Sequence, residues 1–216
     1  MARFTDHVAD RFIAPGVSAF NTADIPDMST YDPESKHWVA NHFLNSVLRG
    51  KFEPPMNAYV YNFVRRAEAA FSEHEQARQA TLRFLASQKQ SPSHYAAAVL
   101  HWEFFLGQAW QGYALLAKLL ELLTGEEFRI FSKGDGSVED RLNRQYNCMK
   151  HVEKRIVNGQ ILEGATVPVW LTNEGIQSTD TLLTYSETGE VLRDIAKWAT
   201  IVVDPIEMAE RLRSDG

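Results

Sequence analysis

The sequence predicts an all-α protein: a helical bundle of four long helices plus one or two short helices, with a minor β-hairpin near residues 165–185. Three observations predict it. Apolar residues recur at steps of three and four through most of the 216-residue chain, as along the buried stripe of a helix. Most of the strong helix breakers fall between those stretches, at Pro54-Pro55, Pro92, Gly125, Gly134, Gly136 and Gly159. Only one region carries β-prone runs, VPVWL at Val167–Leu171 and TLLTY at Thr181–Tyr185. No repeat or long linker divides the chain. A single helical domain, 33–216, is therefore expected behind an N-terminal arm, 1–32, packed on that domain or on a partner.

The arm is punctuated by Pro15, Gly16, Asp24, Pro26, Asp27 and Asp32, yet Phe4, Phe12, Ile13, Val17 and Phe20 are too apolar for a free tail. Asp32 and Pro33 suit the N-cap and first position of a helix through Trp38, Phe43 and Val47, closed at Gly50. A long helix follows from Met56 to about Ser87, with Tyr59, Phe63, Ala67, Ala70 and Phe71 on its apolar side. After a turn over Ser87–Ser93 comes the most apolar helix, about Ser93 to Leu123, where Gly107, Gln111 and Ala114 form a strip that another helix could approach closely. The stretch Val138–Asn158 forms the next helix. Ser186 and Glu187 are placed to cap a last one to about Val203, interrupted by Pro205, with a short tail helix over Ile206–Leu212.

Composition bounds the function. A net charge of −6 excludes general polyanion coating. Cys148 is the only cysteine, so no intrachain disulfide forms, and the polar N-terminus lacks a signal-peptide core; both fit a cytoplasmic protein. The uncharged interval between Glu103 and Lys118 is shorter than the roughly 20 residues a membrane span needs, so no membrane partner is expected. No cofactor or metal is expected either. The chain has no Walker loop, dinucleotide glycine pattern or paired cysteines, and Glu34-x-x-His37 is a single copy of a motif that di-iron bundles use twice. His94 and His101 share a helix face without further ligands on it.

The chemistry concentrates on Val138–Asn158. At about 100° per residue, Val138, Leu142, Met149, Val152 and Ile156 share an apolar side. Arg141, Arg144, Cys148, His151 and Arg155 form a stripe beside it. Guanidiniums hold phosphate through paired N–H donors, and an imidazole moves a proton near neutral pH. Such a stripe can cleave RNA without a metal: the ribose 2′-OH attacks its own phosphate and leaves a 2′,3′-cyclic end. Arg144 and His151 are the candidate catalytic pair, with Arg141, Asn147, Lys150 and Arg155 as candidate substrate contacts. Seven positions span about 10 Å of helix rise, so the pair is stretched on one helix and closes up across a dimer axis. The bland alternative is a solvated basic face whose arginine stems pack at the core edge.

The segment RLNRQYNCMKH, Arg141–His151, on a late helix of an all-α bundle resembles the HEPN superfamily, whose ribonucleases carry an Arg and a His separated by four to six residues. Here Arg144 and His151 are separated by six. Tyr146-Asn147-x-x-Lys150-His151, followed by Gly159 and by Val169–Gly175, is similar to HEPN-type proteins linked to phage abortive infection. The resemblance spans roughly Met56 to Val203. It implies a metal-independent endoribonuclease, a homodimer with a composite site, RNA as substrate, and a toxin or defence role with a cognate antitoxin as partner. One position departs from the pattern: Gln145 follows Arg144 where active members carry Asn, Asp or His. The alternative is a non-catalytic helical binding or dimerisation module; a metal-dependent bundle enzyme ranks behind both.

Overall fold

A computed structural model of the chain describes residues 6–31, 37–50, 52–87, 91–161 and 166–208. Its elements are α1 (Asp6–Phe12), α2 (Trp38–Leu48), α3 (Met56–Ala86), α4 (Pro92–Thr124), α5 (Val138–Lys150), α6 (Val152–Val157), β1 (Trp170–Leu171), β2 (Gly175–Gln177), β3 (Leu182–Thr184) and α7 (Tyr185–Val202). The fold is mainly α, as the sequence predicts. Its long helices are unequal: 31 residues in α3, 33 in α4 and 18 in α7.

Helices α3 and α4 form the antiparallel pair on which everything else packs. The serine before Pro92, Ser91, caps α4 by accepting from the His94 N–H, and Pro92 occupies the first turn. Pro92 thus begins this helix rather than the turn before it. At the far end Gly125 takes a left-handed φ of 75° and its N–H returns to Glu121 O, which stops the helix. Gly112 lies against the Phe63 ring, so the two helices approach closely there. Trp102 Nε1 donates to Thr81 Oγ1 at 3.0 Å, and the Thr81 hydroxyl donates to Ala77 O. A bulky indole is thereby buried with its only polar atom satisfied.

Helix α7 closes the core from the other side. Thr184 is its N-cap, accepting from the Glu187 N–H, while the Glu187 carboxylate accepts from the Thr184 N–H. This capping box sits two residues earlier than a Ser186 cap because β3 runs straight into the helix and Thr184 keeps extended torsions. His74 of α3 and Thr188 of α7 join the two helices inside the core, 3.0 Å apart. The Thr188 hydroxyl donates to Tyr185 O at 2.7 Å, so its oxygen accepts from a His74 Nε2–H. That fixes the neutral tautomer and leaves His74 Nδ1 without a partner among the described residues. Burial lowers the His74 pKa to about 4.

The β element is a three-stranded antiparallel sheet in the order β1-β2-β3, not a two-stranded hairpin. The extra strand is Gly-Ile-Gln, with Ile176 opposite Leu183 and Gly175 opposite Thr184. A Cβ at Gly175 would stand 2.1 Å from Leu183 O, so only glycine fits this register.

The Val138–Asn158 stretch is two helices rather than one. His151 leaves the helical region (φ −111°, ψ 24°) and separates α5 from α6. Helix α6 buries no residue, and Ile156, expected on the apolar side, is exposed, as is Val157. The Asp32–Pro33 cap lies outside the described residues. Helical backbone resumes at 205–208, after Asp204, with Pro205 opening the turn; the rest of the tail lies outside the described residues. Within the N-terminal segment, Ala14, Val17, Phe20, Ile25 and Met28 are buried in the same core. Phe20 stacks on Phe84, and Asn173 Oδ1 accepts from the Asn21 and Thr22 N–H groups.

Candidate functional site

Helix α5 is held at both ends and along one face. Ser137 caps it by accepting from the Asp140 N–H at 3.1 Å. The Asp140 side chain is only 2% exposed. One carboxylate oxygen accepts from the Gly134 N–H at 3.1 Å, and the other lies 3.0 Å from Arg144 Nε. Leu142, Gln145 and Cys148, at i, i+3 and i+6, form the buried face. Gln145 Nε2 donates to Ile176 O at 2.7 Å and to Thr181 O at 2.9 Å, tying α5 to β2 and to the loop before β3. Its Oε1 is buried with no partner among the described residues. Tyr146 packs on Trp110 of α4, which in turn meets Phe131.

Gln145 therefore points into the protein, away from the exposed face that Arg144 occupies. It substitutes for nothing at a reacting centre; it is a strut between a helix and a sheet. Cys148 is buried too, and burial pushes its thiol above the ordinary value. It belongs to the core face, not to an exposed cationic stripe.

The three arginines of the stripe differ. Arg141 pairs with Glu187 of the capping box and also donates to Gly136 O. Arg155 on α6 pairs with Asp180 at 3.2 Å. A carboxylate faces each guanidinium. Arg144 is paired as well, its Nε 3.0 Å from Asp140, but its side chain is 44% exposed and its two terminal amino groups make no hydrogen bond among the described residues. Lys150 is exposed, its Nζ 5.9 Å from the Tyr146 ring centroid. Asn147 Nδ2 donates to Asn143 Oδ1 at 2.9 Å. His151 is exposed at the elbow between the two helices, and its ring makes no hydrogen bond among the described residues.

The fold thus leaves Arg144, Lys150 and His151 exposed on α5 and its elbow, and places all three stripe arginines in ion pairs. Asp140 is a site residue that sequence patterning alone does not single out. Its signal is present all the same, since Asp140 and Arg144 have the i,i+4 spacing of a helical ion pair. Glu187 and Asp180 carry no local signal, lying 46 and 25 residues from their partners.

Elsewhere, His101 Nδ1 is 3.0 Å from Glu73, His94 is exposed and His42 is buried. No group of three potential metal ligands occurs among the described residues, and none of their helices is long and apolar enough to cross a membrane. In comparisons with known proteins, no family model, no curated protein and no solved structure matches the chain.

Proposed function

We propose that the chain is a metal-independent endoribonuclease of HEPN type, working as a growth-arresting effector in defence or toxin systems. The observation that carries the reading is the setting of Arg144. A buried carboxylate, Asp140, lies 3.0 Å from the guanidinium Nε, and neither terminal amino group makes a hydrogen bond among the described residues. An arginine placed that way keeps terminal N–H donors available for two phosphate oxygens. Two turns further along the chain stands His151, with an exposed ring. An imidazole there can take the proton from the ribose 2′-OH or return one to the leaving 5′-oxygen. Arg144 stabilises the charge that builds on the phosphate as the 2′-oxygen attacks. Lys150 and Asn147 flank the pair and orient the strand. Arg141 and Arg155 hold the sheet and α7 in place.

The reading is tested by incubating purified protein with cellular RNA in the presence of EDTA. Cleavage should persist with chelator, fall by about a hundredfold in Arg144→Lys, which loses the fork, and stay within about threefold of wild type in Arg155→Lys. Induced expression should arrest growth with the wild type and not with Arg144→Lys. Chelator-sensitive cleavage, or equal losses in both variants, would overturn it.

A second reading is favoured by one observation: all three stripe arginines are paired with carboxylates. In that reading the chain is a non-catalytic helical binding module. RNA bound but never cut, with no growth arrest, is its outcome.

A further inference from the structure

Helices α2 and α3 enclose a cleft of about 400 Å3, lined by His42, Phe43, Asn57, Ala58, Tyr61 and Asn62. The rings of His42, Phe43 and Tyr61 meet there, with centroids 5.6 Å apart for Phe43 and Tyr61 and 6.2 Å apart for His42 and Tyr61. His42 is buried and Phe43 is 57% exposed, so the ring cluster runs from the core to open surface. Burial holds the His42 imidazole below its ordinary pKa, and the neighbouring Asn57 amide offsets part of that shift. No N–H is aligned on Asn57 Oδ1, however: the atom is shut off from solvent and accepts no hydrogen bond. A buried acceptor without a donor is rare in a folded protein. One and two turns beyond Asn57 on α3 stand Tyr61 and Arg65, and Asn57 to Arg65 spans about 12 Å of helix. Arg65 is exposed, donates to Asn62 Oδ1 at 3.0 Å and makes no ion pair among the described residues.

We propose that this cleft binds a free adenine mononucleotide, with the base against Phe43 and Tyr61, its amino edge on the Asn57 amide and its phosphate at Arg65. Along one edge adenine presents the N6 amino donor beside the N7 acceptor, the complement of a side-chain amide. The N6 group supplies the donor that Asn57 Oδ1 lacks, and Asn57 Nδ2 donates to N7. Guanine carries two acceptors on the same edge and would leave Oδ1 unsatisfied. Aromatic side chains are the usual platform for a base, and a purine covers more of the Phe43–Tyr61 pair than a pyrimidine does. His42, kept neutral by burial, adds a ring without placing a charge beside the base. The Arg65 guanidinium, with no carboxylate against it, takes the phosphate. The volume is that of a small-molecule pocket rather than of a groove for a strand.

The cleft is built from other elements than the Arg144–His151 face. Helix α2 packs on α3 and reaches the end of α7 through the Trp38–Thr200 and Asn45–Val203 bonds, whereas α5 packs on α4 and β3. Nucleotide binding at Asn57 therefore goes beyond the nuclease reading and does not depend on it, because its test reads the heat of binding rather than RNA cleavage.

Isothermal titration of the full chain with 5′-AMP should show one saturable site with a Kd below about 1 mM. GMP and CMP should bind at least about tenfold more weakly. Asn57→Ala should lose about tenfold in AMP affinity without a lower thermal midpoint, because Oδ1 has no donor in the free protein. Arg65→Gln should weaken the binding of AMP and not of adenosine, which separates a phosphate contact from general damage to the cleft. No saturation by about 1 mM AMP, equal affinity for AMP and GMP, unchanged affinity in Asn57→Ala, or AMP binding that depends on Arg144 and not on Asn57 would each overturn the proposal. A short oligoadenylate that binds more tightly than AMP would make the ligand a strand of RNA and overturn it as well.

Discussion

On the proposed reading Asp140 and Arg144 have complementary roles: the buried carboxylate orients the guanidinium and the guanidinium meets the phosphate. Asp140→Asn keeps an acceptor for the Gly134 N–H but removes the charge. It should cost about 1–3 kcal/mol in urea unfolding and reduce RNA cleavage with Arg144 still present. Retained cleavage at unchanged stability would show that Arg144 needs no tether. Gln145 is the converse case, a polar residue beside the proposed site whose work is structural. Gln145→Ala removes the amide donor to Ile176 O and Thr181 O, the latter keeping the Ser178 N–H, and should cost about 1–3 kcal/mol; Gln145→Asn, too short to reach both, should lose stability without gaining activity. His74 gives a pH signature unrelated to the site. Its folded pKa is about 4 and its unfolded value 6.5, so the unfolded chain binds the extra proton first as pH falls. The His74 contribution is intact above pH 6.5 and drains away toward pH 4, a loss of about 3 kcal/mol. Urea midpoints measured from about pH 7.5 down to about 4.5 should fall in the wild type, and less steeply in His74→Gln.

Among the elements, the sheet is the most sensitive to single substitutions. Gly175→Ala forces a methyl group into Leu183 O and should destabilise by several kcal/mol, since backbone rather than a flexible side chain must move. Thr184→Ala removes half of the capping box and should cost about 1 kcal/mol, read as a lower thermal midpoint. The helices were legible in the sequence because each buries a continuous stripe: the spacing of Phe63, Ala67, Ala70 and Phe71, or of Leu192 and Ile195, leaves little freedom. The middle strand was not legible, because three residues beginning with glycine have no alternation to read, and its need for glycine arises from a strand packed beside it. The elbow at His151 carries no proline or glycine; it occurs where the chain stops finding a core to pack on, as the exposed Ile156 and Val157 show. The same helical wheel that gathered the basic stripe also places Gln145 between Val152 and Ile156, so its burial was readable. The neutralisation of Arg141 and Arg155 was not, since both partners come from distant segments brought close only by the fold.

For the whole molecule, the proposed reading asks an acidic chain to hold RNA locally, at the Arg144–Lys150 face. If Arg144 and Lys150 are the two phosphate contacts, log affinity for single-stranded RNA should fall with log salt at a slope of about 1.4; a slope several times steeper would mean a broad basic surface that the net charge of −6 argues against. The exposed face of α2, with Phe43, Leu44, Val47 and Leu48, is an apolar surface of the molecule. Cleavage of RNA at the Arg144–His151 face by internal attack of the 2′-OH is decided most directly by the chemical end left on RNA by wild type and by His151→Ala. Wild type should leave 2′,3′-cyclic phosphate, and the variant at least ~100-fold less product, with unchanged thermal stability because the ring is exposed. Ends bearing a 3′-hydroxyl, or equal cleavage by the two proteins, would contradict that chemistry.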